Sequence, residues 1–374
     1  MLHTVILAIG VIYFFIVLTT TIGMFRLPKS SRLEDDKLPT VSIIISARNE
    51  QNDIPKCILA LEKIDYPKDK FQVVLVDDRS TDLTGSIIAD AVSRNSHFIS
   101  FNTTDFPNTK LKAKARGIAL GINKSHGEWI FVTDADAEAP IGWLRHMLSQ
   151  TTEKTGMIGG MLSVKQNSIL SFIERSSWAY VLPFAFGLAG WGSPFACIGP
   201  NIAIRRSIYE NAEGLEKANF QLAEDLALFK MVEKSGYHSL SYMSEETTIS
   251  LNPVSSYNHL FSQQRRWLKG GFEAGWEYII GLIAAFLFNN IVSLLIIFGW
   301  WFAPFETFVL VLLKSSIDFI LLLSERHLIK KTHILRYFIF FEIYIVFAFI
   351  WHPLSFLFSR KIKWKGDGFE IEYD

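Results

Sequence analysis

Two aspartates two residues apart, Asp134 and Asp136, lie in the segment GEWIFVTDADAEAP (127–140), directly behind an apolar run from Trp129 to Val132. Such a run reads as a buried strand, and open α/β sheets bind ligands at the carboxyl ends of their strands. Two carboxylates there suit a hard divalent cation, Mg2+ or Mn2+, which takes oxygen ligands and commonly reaches a protein through one or two carboxylates plus substrate phosphates. The combination points to a nucleotide diphosphate held through a metal. Alone, the pattern also describes a turn and a helix cap before Pro140, so the neighbouring segments decide.

A second pair of acids, Glu224 and Asp225 in FQLAEDLALFKMVEKSGY (220–237), opens a stretch with apolar residues at helical spacing, Leu226, Phe229 and Val232. Acids in a first turn complement the helix dipole, and a carboxylate there can equally accept a proton in catalysis. A third pair, Asp77 and Asp78 in VDDRSTD (76–82), follows another apolar run; Ser80, Thr81 and Asp82 read as the cap of the helix behind it. Asn49 and Glu50 in ARNE (47–50) follow a third run, where Asn49 suits a helix cap near Ile54 as well as a ligand contact.

The elements that must position these acids alternate. VSIIIS (41–46), VVLV (73–76) and WIFV (129–132) read as strands, with helical stretches at 53–63, 82–94 and 112–123 between them. Alternation of this kind implies a mostly parallel sheet covered by helices, with all three acidic strand ends on one edge. Neither GxxxxGK nor GxGxxG follows any strand, which argues against a kinase or a dehydrogenase. Diphosphate charge then falls to a metal and to separate basic residues, such as those in KLKAKARGIALGI (110–122).

The 374 residues carry 37 basic and 37 acidic side chains, a balance with no nucleic-acid footprint. Two cysteines, Cys57 and Cys197, exclude a disulfide framework and fit a reducing compartment. Charge gathers in the middle of the chain, between long apolar ends. Residues 4–25 hold no charged side chain and as a helix would match the hydrocarbon core, about 33 Å. Arg26, Lys29 and Arg32 follow, so the positive-inside rule places the next domain in the cytosol.

An uncharged run from Tyr278 to Phe305 and a second apolar run from Thr307 to Ser324, interrupted only by Lys314 and Asp318 on one helix face, predict a membrane hairpin. Residues 337–358 either cross again or re-enter around His352 and Pro353. Residues 168–192, aromatic and interrupted by Glu174, Arg175 and Pro183, read as an interfacial helix and loop, the alternative being a buried core helix. The expected units are an N-terminal span (1–30), a catalytic domain (38–275), a membrane region (276–360) and a cytosolic tail (361–374).

The ordered set ARNE, VDDRSTD, TDADAEAP (133–140), AED (223–225) and QQRRW (263–267) resembles family 2 glycosyltransferases with the GT-A fold. The likeness is strongest to membrane-integrated members similar to cellulose, hyaluronan and poly-N-acetylglucosamine synthases and to ceramide glucosyltransferase. It covers about residues 40–275. The resemblance implies an inverting, metal-dependent transfer from a nucleotide sugar, expected to be a UDP-sugar, to a lipid or glycan acceptor. Asn49, Glu50, Asp77, Asp78 and Lys114 would contact the nucleotide, with Lys112 as the alternative register for the lysine. Asp134 and Asp136 would hold Mg2+ or Mn2+, and Asp225, beside Glu224, would be the catalytic base. Arg266 would meet phosphate. Gln263 and Trp267, with Gly199 and Asn201 of FACIGPN (195–201), would face the acceptor.

A single-addition lipid enzyme fits the short chain and its interfacial stretch. A processive synthase, which needs a polymer channel, and a silent nucleotide-sugar binder are the alternatives. The tail WKGDGFE departs from the family's ending, with Asp367 where arginine is expected.

Overall fold

The computed structural model describes the chain except residues 1, 107–108, 194–198, 219–222, 272–275, 331–333, 358–361, 365–366 and 370–374. Side chains are further undescribed at 268–271, 276–279, 281–282, 352–357, 362–364 and 367–369. Cys197 lies outside the described residues.

Four strands, β1 (Val41–Ala47), β2 (Phe71–Asp77), β3 (Phe98–Asn102) and β4 (Trp129–Thr133), pair in parallel in the order β3-β2-β1-β4. β1, β2 and β4 are the three predicted runs, each nearly or wholly buried, as strands covered on both faces must be. A short β5 (Ala137–Glu138) follows, and β6 (Thr155–Gly160), β7 (Leu162–Val164), β8 (Ile202–Arg205), β9 (His238–Tyr242) and β10 (Ile249–Leu251) complete the domain. β8 joins β4 antiparallel, and β6 and β9 extend the main sheet to seven strands, while β5, β10 and β7 form a small second sheet. The result is the mixed, mostly parallel α/β fold that the sequence predicts.

Helices α2 (Ile54–Leu61), α3 (Thr84–Arg94) and α4 (Ala113–Asn123) fall within the predicted stretches. α4 lies unusually close to β1. A Cβ at Gly117 would stand 2.1 Å from Ser46 Oγ, and one at Gly121 would stand 2.6 Å from Ile44 Cγ2. Only hydrogen at these two positions, four apart on one helix face, allows that approach. It brings the start of α4 to the strand ends.

After α5 (Trp143–Met147), α6 (Ile169–Gly190) is one helix through Pro183. It packs on α1 (Leu2–Arg26), where a Cβ on Gly190 would lie 1.8 Å from Gly23 O, a close crossing of small residues. Trp178 and Tyr180, expected at a headgroup layer, are buried, whereas Val181, Leu188 and Trp191 are exposed. The segment is therefore half a core helix. Its aromatic side chains fill the joint between the sheet domain and the membrane-type helices.

α7 (Arg206–Asn211), α8 (Glu224–Ser235) and α9 (Tyr257–Gly271) precede three long apolar helices, α10 (Trp276–Phe298), α11 (Pro304–Ile329) and α12 (Phe338–Leu357). With α1, the described residues hold four helices long and apolar enough to cross a membrane. α12 runs unbroken past His352 and Pro353, so the re-entrant alternative is not what forms. Lys314 binds Asp318 at 2.7 Å, as their spacing predicts, and also Glu342 at 2.7 Å. Tyr13 donates to Asp318 at 2.8 Å, tying α1, α11 and α12 together. The tail forms a hairpin, β11 (Ile362–Trp364) with β12 (Asp367–Phe369), and β11 passes beside α9.

Candidate active site

The carboxyl ends of β1, β2 and β4 converge, and the loops leaving them are stitched to one another. Asn49 N–H donates to Ser80 Oγ at 3.0 Å, and Asn49 Oδ1 accepts from Thr81 N–H at 2.8 Å. Glu50 N–H donates to Thr84 Oγ1 at 2.7 Å. Of the predicted cap residues only Asp82 caps α3, accepting from Thr84 N–H at 2.9 Å. Asn49 does not cap α2; it holds the two loops in register. Asn49 and Arg79, in the loops leaving β1 and β2, and Ala113, the first residue of α4, have positive φ of 52°, 58° and 51°. Non-glycine residues persist there only where the surroundings over-determine them, and they cluster at functional sites.

Asp77 and Asp78 divide their work. Asp77 Oδ1 accepts from Ser80 N–H at 2.9 Å and Oδ2 from Asn102 at 3.3 Å, so its carboxylate holds the turn. Asp78 is wholly buried; its Oδ1 takes Thr103 Oγ1 at 2.6 Å and the Arg116 guanidinium, while Oδ2 has no hydrogen-bond partner among the described residues. A buried carboxylate oxygen left unsatisfied costs free energy that a ligand N–H would recover.

Lys114 is the centre of the edge. Its ammonium lies 2.6 Å from Asp134 Oδ1 and 2.9 Å from Glu224 Oε1, bridging the two acidic motifs. Burial would lower its pKa, but the two carboxylates outweigh burial and raise it, so the group stays charged. Lys112, the alternative register, is the cap residue of α4, one residue outside the helix. Asp134 and Asp136 occupy the turn that the sequence predicts, braced by Asn252, whose N–H donates to Asp136 O at 3.1 Å. Asn252 also donates to Asp53 at 2.9 Å and accepts from Lys165 at 3.2 Å. Cys57 is buried under the turn, its thiol 3.6 Å from Asp134 O; burial, then Asp136 and Asp134, push its pKa up and keep it neutral.

Asp225 sits behind Glu224 at the start of α8. Gly199 N–H donates to its Oδ2 at 2.9 Å and Leu226 N–H to its Oδ1 at 2.8 Å. A Cβ at Gly199 would press to 3.1 Å of that carboxylate, so glycine serves here by letting backbone hold the acid. Burial and then Glu224 raise the Asp225 pKa, against Lys114 and the two N–H donors. The acceptor role expected of Gly199 thus becomes a positioning one. Asn201 is likewise corrected: it is fully buried, donates to Met161 O and Thr247 O at 2.8 Å each, and accepts from Trp143 Nε1 at 2.9 Å. All its hydrogens are spent inside the protein.

The QQRRW motif lies on α9 against one face of α6. Trp267 packs against Trp178 with ring centroids 4.0 Å apart and the rings tilted by 55°, and Gln264 donates to Ser177 at 3.0 Å and Tyr344 at 3.2 Å. Arg266 is half-buried on the same helix. Glu174, one turn before Trp178, accepts from Val254 N–H at 2.9 Å and bonds to Gln263, whose Oε1 is buried without a partner among the described residues. Arg175 anchors α6 to Glu325 of α11 at 2.6 Å and to Ser163 of β7 at 3.0 Å. Sequence reasoning missed Glu174, Trp178 and Asn252, which lie far from the motifs they brace; Arg116 was the one with a signal, two residues beyond Lys114.

Burial pushes the Glu174 carboxyl up to about 7, against the Val254 N–H and the Gln263 amide. The folded protein then binds this proton more tightly than the unfolded chain, whose value is near 4.5. The associated stability is present at acid pH and lost as pH rises through about 7. Glu174→Gln removes that term, worth at most about 3 kcal/mol. Thermal unfolding in detergent at pH 5 and pH 8 should show a smaller pH dependence in the variant than in the wild type; equal dependence contradicts the assignment.

Residues 42–212 match the family model described as "Glycosyl transferase family 2". The chain is 28% identical over 299 residues to a probable glycosyltransferase, YdaM, of Bacillus subtilis, covering 78% of this chain and 69% of that one. It is 25% identical over 280 residues to the beta-monoglucosyldiacylglycerol synthase of Nostoc, covering 71% of this chain and 57% of that protein. Among solved structures it resembles the mannosyltransferase PcManGT of Pyrobaculum calidifontis, in complex with GDP-Man and Mn2+. The TM-score is 0.56 at 18% identity, over 96% of this chain and 99% of that one.

Proposed function

We infer the reaction from a premise now in hand: this chain is a glycosyltransferase, carrying a family 2 domain on a GT-A fold. It passes a sugar from a nucleotide sugar, read as a UDP-sugar, to a hydroxyl of a membrane lipid, in one displacement with inversion. The Lys114 bridge carries this reading. One ammonium joins Asp134 to Glu224 and so brings a positive charge, the Asp134 turn and the start of α8 with Asp225 together beside the sheet edge.

Asp225 takes the proton from the attacking hydroxyl. A sugar or glycerol hydroxyl ionises far above neutral pH, so attack needs a base, and an acid with a raised pKa takes up the proton more readily. Glu224 keeps Lys114 directed to the edge, where the ammonium faces the charge that develops on the leaving diphosphate. The free oxygen of Asp78 suits an imide N–H of the base. Arg266 meets phosphate, and Gln263 and Trp267, braced by Glu174 and Trp178, face the acceptor.

Among the described residues no three His, Cys, Asp or Glu side chains gather as a closed metal cage. The Asp134–Asp136 pair offers hard oxygen donors only, which fits an Mg2+ or Mn2+ ion completed by diphosphate and water. When bound, the ion supplies Lewis-acid stabilisation of the leaving group. The Mn2+ in the mannosyltransferase complex and the lipid product named for the Nostoc relative support metal and acceptor alike. The charge that follows α1 supports a cytosolic catalytic domain on an integral membrane protein.

Purified protein, a total lipid extract, Mn2+ and a panel of labelled UDP- and GDP-sugars test the reading. Label from a UDP-sugar in the organic phase is expected. Label only from a GDP-sugar would overturn the donor, and label in an ethanol-insoluble polymer would overturn the acceptor.

A further inference from the structure

At the C-terminal end of α11 an open surface depression is lined by Leu323, Arg326, His327 and Lys330, all exposed. These four fall at i, i+3, i+4 and i+7, one face of a helix. The same face continues toward the middle of α11 through Phe319 and Ile320, both exposed, as Leu323 is. One stripe is therefore apolar for two turns and then cationic.

The cations have no internal acid to neutralise them. Glu325, their nearest carboxylate in sequence, points the other way and is fully buried against Arg175. Among the described residues no ion pair engages Arg326, His327 or Lys330. A helix C-terminus favours cations through its dipole, which accounts for charge there, not for the exposed apolar stripe that runs up to the charges.

The height of the depression is fixed by its neighbours. Phe25, at the end of α1, has its ring 6.2 Å from that of His327, and Arg26 lies 4.2 Å over the Trp191 ring at the end of α6. Three helices thus end at one level in basic and aromatic residues, the composition of a membrane–water interface on the cytosolic side.

We propose that this depression binds the phosphate of an anionic membrane phospholipid, with an acyl chain lying along Leu323, Ile320 and Phe319. Arg326 makes the directional contact to phosphate oxygen, for which a guanidinium is suited, and Lys330 adds a point charge. The apolar stripe selects a lipid over a free phosphate ion. The assignment rests on the reading that α1 and α11 cross the membrane.

The test uses the full chain in detergent, with native mass spectrometry against phosphatidylglycerol and phosphatidylcholine. The wild type should retain phosphatidylglycerol in preference, and Arg326→Gln with Lys330→Gln should lose that preference by roughly thirty-fold, each basic group near a lipid surface contributing comparably. Lys330→Gln alone, at the exposed helix end, should lose a smaller part of it and guards against a folding defect in the double variant. Undiminished preference in the double variant overturns the proposal, as does displacement of the lipid by inorganic phosphate. A chain that stays in aqueous solution without detergent fails the membrane reading instead, a separate outcome.

Discussion

Asp225→Asn should reduce transfer by roughly 100- to 10,000-fold, the range for losing a general base, while nucleotide affinity stays at the wild-type level. Asparagine keeps the size of the side chain and one oxygen for the Gly199 N–H, while the Leu226 N–H loses its acceptor, a loss of about 1 kcal/mol set against the relief of a buried charge. What it removes is the lone pair that takes the proton. Stability separates this role from a structural one. Burial, then Glu224, raise the Asp225 pKa, so the folded state pays for the charged form, and the stability of the protonated form is lost as pH rises through that raised value. An amide stays neutral at every pH. The variant should therefore unfold at or above the wild-type temperature at pH 8, and a variant that loses both activity and stability would contradict the assignment.

Asp136→Ala should weaken both donor binding and turnover. With Asp134 already bonded to Lys114, the pair of oxygen donors at the turn would fall to one partly neutralised carboxylate. Lewis-acid stabilisation is worth several kcal/mol, which corresponds to about a thousand-fold in kcat/KM. The diagnostic is metal dependence: added Mn2+ should raise the melting temperature of the wild type in the presence of UDP and leave the variant unmoved. Near-normal turnover in Asp136→Ala, or an unchanged Mn2+ effect, would remove these acids from the reaction.

The parallel half of the sheet was legible because buried parallel strands must be continuous apolar runs, and β1, β2 and β4 are. β3 escaped notice since FISFN is short and half exposed. Lys114 was legible through the family resemblance, and the close seating of its helix α4 on β1 at Gly117 and Gly121 brings it to the edge. The errors share one cause. Asn201 and Gly199 carry polar or small groups in the right segments, but sequence does not tell whether a residue's hydrogen bonds go to a ligand or to the protein. For Asn201 they go to Met161, Thr247 and Trp143, all remote in sequence. Glu174 and Trp178 stayed hidden for a related reason. In an aromatic stretch ambiguous between interface and core, only tertiary contact reveals that one face clamps the QQRRW helix.

The most direct test of the central claim is the anomeric configuration of the lipid product. If Asp225 acts as base in a single displacement, an α-linked nucleotide sugar must give a β-linked glycolipid, read from the coupling constant of its anomeric proton. An α-linked product would require either two displacements or retention by another route, and Asp225 could not then be the base of a direct attack.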